Sequence, residues 1–159
     1  MIKIQNLQKR LLSPGNRERF SRAWNWVDAY LQCLHGADSE HYRMLRQAML
    51  ARRTLLLLDG LDEGGQVRAQ IERHVSEVLA PQGHVMLVTS RPAGVREELF
   101  SRHFHRIVLR PLSDAQQKQV IEQRIDAEYV DELMAYVNER VPRDVETGIR
   151  VTGNPLMLS

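Results

Sequence analysis

The sequence of 159 residues predicts an α/β domain built on a parallel sheet. Three observations carry this prediction. Leu55-Leu56-Leu57-Leu58 and Val85-Met86-Leu87-Val88 are short, unbroken apolar runs closed by polar turns, the pattern of strands buried on both faces of a parallel sheet. Segments with apolar residues three and four apart precede, separate and follow these runs, as amphipathic crossover helices require. Each run ends in residues that carry chemistry: Asp59-Gly60-Leu61-Asp62-Glu63 after the first and Thr89-Ser90-Arg91-Pro92 after the second. In such sheets ligands sit at the carboxyl ends of strands.

In chain order, Phe20, Trp24, Val27, Leu31 and Leu34 predict one face of a helix, with Trp24 in the core and Trp26 on its flank. Tyr42, Leu45 and Met49 mark a second helix ahead of the Leu55–Leu58 strand. Val67, Ile71, Val75 and Val78 form the stripe of a helix that crosses to the Val85–Val88 strand, which ends before Pro92. A third, weaker strand is expected at Arg106-Ile107-Val108-Leu109, stopped by Arg110-Pro111. Ser113-Asp114-Ala115-Gln116 is a capping box that opens a helix through Val120, Ile121 and Ile125. Tyr129, Leu133 and Val137 mark a last helix.

Composition narrows the function classes. With 22 Lys plus Arg against 20 Asp plus Glu, the net charge of +2 gives no electrostatic case for nucleic acid. Arg43, Arg46, Arg52 and Arg53 therefore read as a solvated helix face rather than a phosphate-binding patch. The single cysteine, Cys33, has no internal disulfide partner and suits a reducing compartment. No apolar run approaches the roughly 20 residues of a membrane span, and Met1-Ile-Lys-Ile-Gln-Asn has no signal-peptide core, so a cytoplasmic protein without membrane partners is expected. His103 and His105 alternate onto one face as a metal pair would, but no third ligand follows, and an exposed edge is the expectation.

The acidic loop is the most informative segment. Carboxylates at a strand end suit a hard cation such as Mg2+, which keeps several waters and shares its remaining positions with substrate phosphates. A carboxylate slightly further out can orient an attacking water. An arginine at the neighbouring strand tip can read a terminal phosphate bidentately. Taken singly, each segment is also an ordinary surface turn.

Together, Leu-Leu-Leu-Leu-Asp-Gly-Leu-Asp-Glu and Thr-Ser-Arg-Pro resemble the Walker B and sensor 1 segments of NACHT domains, which belong to the STAND class of P-loop NTPases. The resemblance implies a three-layer P-loop NTPase-like sheet, followed from residue 111 to 159 by the start of a small helical subdomain. It assigns Asp59 to Mg2+ through water and leaves the catalytic acid between Asp62 and Glu63, with Asp62 preferred. Arg91 takes the phosphate-sensing role, flanked by Thr89 and Ser90. Pro155, in Gly153-Asn154-Pro155, matches a proline that packs on adenine; it also suits the start of a helix. The implied ligands are ATP or ADP with Mg2+, and the implied partners are a second copy or other domains of the same protein.

One motif of the family does not occur in these residues. A P-loop needs Gly-x-x-x-x-Gly-Lys-Ser/Thr, and none of the nine glycines precedes a lysine. By the resemblance, Met1-Ile-Lys-Ile-Gln-Asn-Leu is the family's second strand, residues 1–110 are a partial nucleotide-binding core, and the chain is an N-terminally truncated fragment. The strand normally flanked by the 85–88 and 106–109 segments is then missing. The expectation is a cleft there or a closed-up sheet of four strands, with exposed edges that favour aggregation. Two other functions stay open: a scaffold that kept the fold and lost nucleotide chemistry, and a phosphatase using Asp59, Asp62 and Glu63 directly. The second is disfavoured because Asp-Gly-Leu-Asp is not the Asp-x-Asp that haloacid-dehalogenase-type enzymes use.

Overall fold

The computed structural model describes residues 1–91, 95–143, 145, 148 and 150–154. They form two compact units, Met1–His105 and Arg106–Ser159.

The first unit contains β1 (Ile2–Lys3), α1 (Ile4–Leu12), α2 (Arg17–Arg22), α3 (Trp26–His35), α4 (Glu40–Leu50), β2 (Leu55–Asp59), α5 (Arg68–His74), β3 (Val85–Val88) and α6 (Glu97–Phe100). The strands make one parallel sheet in the order β1-β2-β3, with Ile2 opposite Leu58, Leu56 opposite Met86 and Leu58 opposite Val88. Sheet order equals chain order, so right-handed crossovers carry α1–α4 and α5 to the same face. Leu56 and Leu58 face that layer, in one buried cluster with Ile4, Leu7, Val27, Met49, Ile71, Val75 and Leu79.

The opposite face departs from the expectation of strands buried on both sides. Leu55, Val85 and Leu87 are 59%, 64% and 54% exposed. Of the four leucines, the alternation of strand side chains buries Leu56 and Leu58, leaves Leu57 half-buried and exposes Leu55.

The helix expected from Phe20 to Leu34 is two helices. Asn25 breaks it: its Oδ1 accepts from the Asp28 backbone N–H at 2.9 Å, capping α3, while its Nδ2 donates to Gln82 Oε1 at 2.8 Å. Phe20 and Val27 are buried, whereas Leu34 is exposed. Trp24 and Trp26 do not divide into core and flank, because both are half-buried against the core. Trp24 meets His84 edge-on with centroids 5.4 Å apart, and Trp26 stacks on His74 at 4.2 Å. The stripe through Val67, Ile71 and Val75 continues to Leu79 rather than Val78, since Val75–Leu79 is a wider π-type turn closed by Ala80 N–H to Val75 C=O.

His74 makes this packing sensitive to acid. Its Nε2 accepts from the Trp26 backbone N–H at 3.0 Å, so the ring must be neutral, and burial lowers its pKa from 6.5 to about 4. The unfolded chain takes up this proton at higher pH than the folded chain. The stabilisation is complete above pH 6.5 and is lost as pH falls through about 4. The loss is at most about 3 kcal/mol. The urea midpoint of the wild-type chain is expected to fall between pH 7 and pH 4, with a shallower fall in His74→Gln; parallel curves would refute the assignment.

The second unit holds α7 (Asp114–Glu122) and α8 (Ala127–Arg140). The capping box forms as expected: Ser113 Oγ accepts from Gln116 N–H at 3.3 Å, and Gln116 Oε1 accepts from Ser113 N–H at 2.9 Å. Ile121, Val130 and Val137 are buried, while Tyr129 is 52% exposed, so the inner face of α8 begins one residue later than expected. Arg150, nearly buried, donates to Asp114 Oδ1 and to the Asn138 carbonyl, each at 3.2 Å.

The strand expected at Arg106–Leu109 does not form. Among the described residues the sheet has three strands, and Ile107 and Leu109 are 81% and 91% exposed. β-propensity alone does not hold a strand, which needs a ladder partner; none of the described residues supplies one. Among the described residues no helix is long and apolar enough to cross a membrane. Pro155 lies outside the described residues.

Candidate functional site

The parallel register of β2 and β3 ends both strands at the same edge, which brings the two predicted loops together. Thr89 binds them at their base. Its N–H donates to the Leu58 carbonyl at 2.9 Å, and its carbonyl accepts from Leu61 N–H at 2.8 Å. Its hydroxyl donates to Asp59 Oδ1 at 2.7 Å and accepts from Gly60 N–H at 3.0 Å. Gly60 has φ +75°, which a side chain would strain, and it turns the chain directly after Asp59. Leu61 is buried beneath the loop and anchors the short 3-10 segment Leu61–Val67.

Asp62 reaches across to the second loop. Its Oδ1 accepts from Ser90 Oγ at 3.3 Å and Arg91 N–H at 3.2 Å, and its Oδ2 lies 3.5 Å from Arg91 Nε. Glu63 is exposed and curls over Gly60, so that a Cβ on residue 60 would lie 3.0 Å from its carboxyl carbon. Glycine at position 60 thus serves the backbone turn and also makes room for Glu63.

Two features of the surrounding frame carry no clear sequence signal. Gly65, at φ +50°, receives the Gln8 side chain of α1 where a Cβ would otherwise stand. Glu72 on α5 is fully buried beside Arg96, at 2.8 Å, and Arg68, at 3.3 Å. Arg96 also donates to the Ala69 carbonyl at 3.2 Å. The second loop is therefore tied down before Ser90 through Thr89 and again at Arg96. Nothing in the spacing distinguishes Glu72 from a solvated helix residue.

The donor chemistry fits a magnesium ion held through water at Asp59. Asp59 Oδ1 is steadied by Thr89, and its second carboxylate oxygen has no donor among the described residues. Mg2+ commonly retains most of its waters and needs only one or two carboxylates, so a single aspartate is an adequate protein contribution. Among the described residues no three His, Cys, Asp or Glu side chains form an all-protein metal cage, and His103 and His105 are exposed. A groove of about 380 Å3 lined by Ser76, Pro81, Leu99 and His103 includes none of the loop residues.

A parallel α/β sheet with helices packed on it, ending in a carboxylate loop and an arginine loop that touch, has the architecture of a P-loop NTPase-like domain. The sequence model of the NACHT domain matches residues 29–128, well over half of the chain and all of both loops. The chain belongs to the NACHT domain family. No curated protein and no solved structure matches it significantly.

Proposed function

We propose that this chain carries the magnesium- and γ-phosphate-facing part of a nucleotide-dependent signalling switch that binds ATP or ADP and couples the bound state to self-association. The observation that supports it most is the joined pair of loops: Asp59 held by Thr89, and Asp62 held against Ser90 and Arg91. In this reading Asp59 holds a magnesium-bound water, and the Asp62–Glu63 pair supplies the group that orients an attacking water. Arg91 meets the terminal phosphate, with Thr89 and Ser90 shaping the loop around it. Pro155 would contact the adenine ring, and residues 111–159 would begin the helical subdomain that presents it. Bound Mg2+ would supply charge neutralisation between the nucleotide phosphates.

The phosphate-cradling Gly-Lys loop is not among these 159 residues, and with it goes most of the binding energy. Titration of the chain with ATP, with and without Mg2+, is expected to show weak, magnesium-dependent binding and no measurable hydrolysis. Asp59→Ala should abolish the magnesium dependence. Binding indifferent to Mg2+ and to Asp59→Ala would overturn the reading. One alternative is a scaffold that retains the fold without nucleotide chemistry. Complete lack of binding at millimolar ATP would support it. Turnover of an aryl phosphate that depends on Asp59 would revive the phosphatase.

A further inference from the structure

We propose that Asp62 is a positioning residue that sets where Arg91 stands, and that this leaves Glu63 as the loop's water-facing carboxylate. The inference rests on the functional reading above and divides its two candidate acids. Both carboxylate oxygens of Asp62 face one segment: the Arg91 N–H donates to Oδ1, Arg91 Nε lies beside Oδ2, and Ser90 Oγ stands 3.3 Å from Oδ1 with the Arg91 carbonyl, at 3.1 Å, as its other acceptor. A carboxylate held this way is poorly placed to take a proton from a water, because a general base must itself reach that proton. Its contacts instead join residues 28 and 29 positions apart in sequence, where no regular ladder continues.

Arg91 is held without being used up. Only Nε faces Asp62, the side chain is 85% exposed, and neither terminal nitrogen has a partner among the described residues. Those terminal nitrogens remain available for an anion. Glu63 has the complementary property. It stands one residue further on, exposed over Gly60, and among the described residues no donor reaches its carboxylate. Thr89–Asp59 on one side and Arg96–Glu72 on the other fix the ends of the arginine loop, and Asp62 fixes its middle.

Amide hydrogen exchange, followed by NMR on the full nucleotide-free chain, tests this. Asp62→Ala is expected to speed exchange of the Arg91 amide by about tenfold, while the Gly60 amide, which is held by Thr89, is unchanged. Asp62→Asn keeps an acceptor oxygen and should restore most of the Arg91 protection. Glu63→Ala should leave the Arg91 rate as in wild type. Should Asp62→Ala fail to fold, Asp62→Glu keeps the charge but displaces the acceptor, and it should also speed Arg91 exchange. An unchanged Arg91 rate in the folded Ala or Glu variant, or an equal acceleration in Glu63→Ala, overturns the proposal. The experiment contains no nucleotide, so its failure is distinct from a failure of the ATP titrations.

Discussion

Arg96→Ala is expected to destabilise the Met1–His105 unit by about 3 kcal/mol, at the low end for removing one partner of a buried ion pair. The Glu72 carboxylate is fully buried and lies 2.8 Å from Arg96 Nε. Without Arg96 its remaining cation is Arg68, at 3.3 Å and 40% exposed, which offers partial compensation. The loss should appear as a lower urea midpoint with little change in slope. Glu72→Gln removes the charge that needs compensating and should cost less. Adding Glu72→Gln to Arg96→Ala should then recover part of the loss, the coupling that a double-mutant cycle reads. A fall below about 1 kcal/mol in Arg96→Ala would show that Arg68 alone suffices, since a buried carboxylate without a partner costs more than that. The effect bears on the site because Glu72 and Arg96 anchor the far end of the arginine loop.

The double variant Val85→Lys, Leu87→Lys is expected to change association more than any other surface substitution. Val85, Leu87 and Leu55 present an apolar patch on the sheet face opposite the core, and β3 is an edge of the sheet. Open edges and apolar faces template pairing with other chains, which natural proteins commonly block with lysine. Sedimentation of the wild-type chain should show concentration-dependent association. The lysine variant should stay monomeric to roughly tenfold higher concentration, with an unchanged urea midpoint because neither side chain is in the core. Equal association in both would mean that this face is not where copies meet.

Of the two expected outcomes for the missing strand, the closed-up sheet of four strands does not form. The 106–109 segment forms no strand, and β3 remains an edge. The tendency of Ile-Val-Leu toward extended backbone is real, but it is worth little until cross-strand partners exist.

What the sequence determined alone was whatever depends on neighbours along the chain. The Leu55–Leu58 and Val85–Val88 runs, the turn at Gly60, the Ser113 capping box and the placing of Asp59, Asp62, Glu63 and Arg91 at strand ends all lie in windows of a few residues. Periodicity likewise found α4 and α5, though not the shift of the second stripe from Val78 to Leu79. It missed the break at Asn25, where the side chain caps α3 on the Asp28 N–H and also binds Gln82 far along the chain. Tertiary structure alone decided the rest. Which leucines of the run are buried depends on where the crossover helices lie. Which carboxylate is tied to Arg91 depends on the β2–β3 register, which sets two loops nearly thirty residues apart side by side. Glu72 looks solvated in sequence and is buried because Arg68 and Arg96 close over it. Pairing energies belong to two distant residues at once, and no local pattern encodes the second.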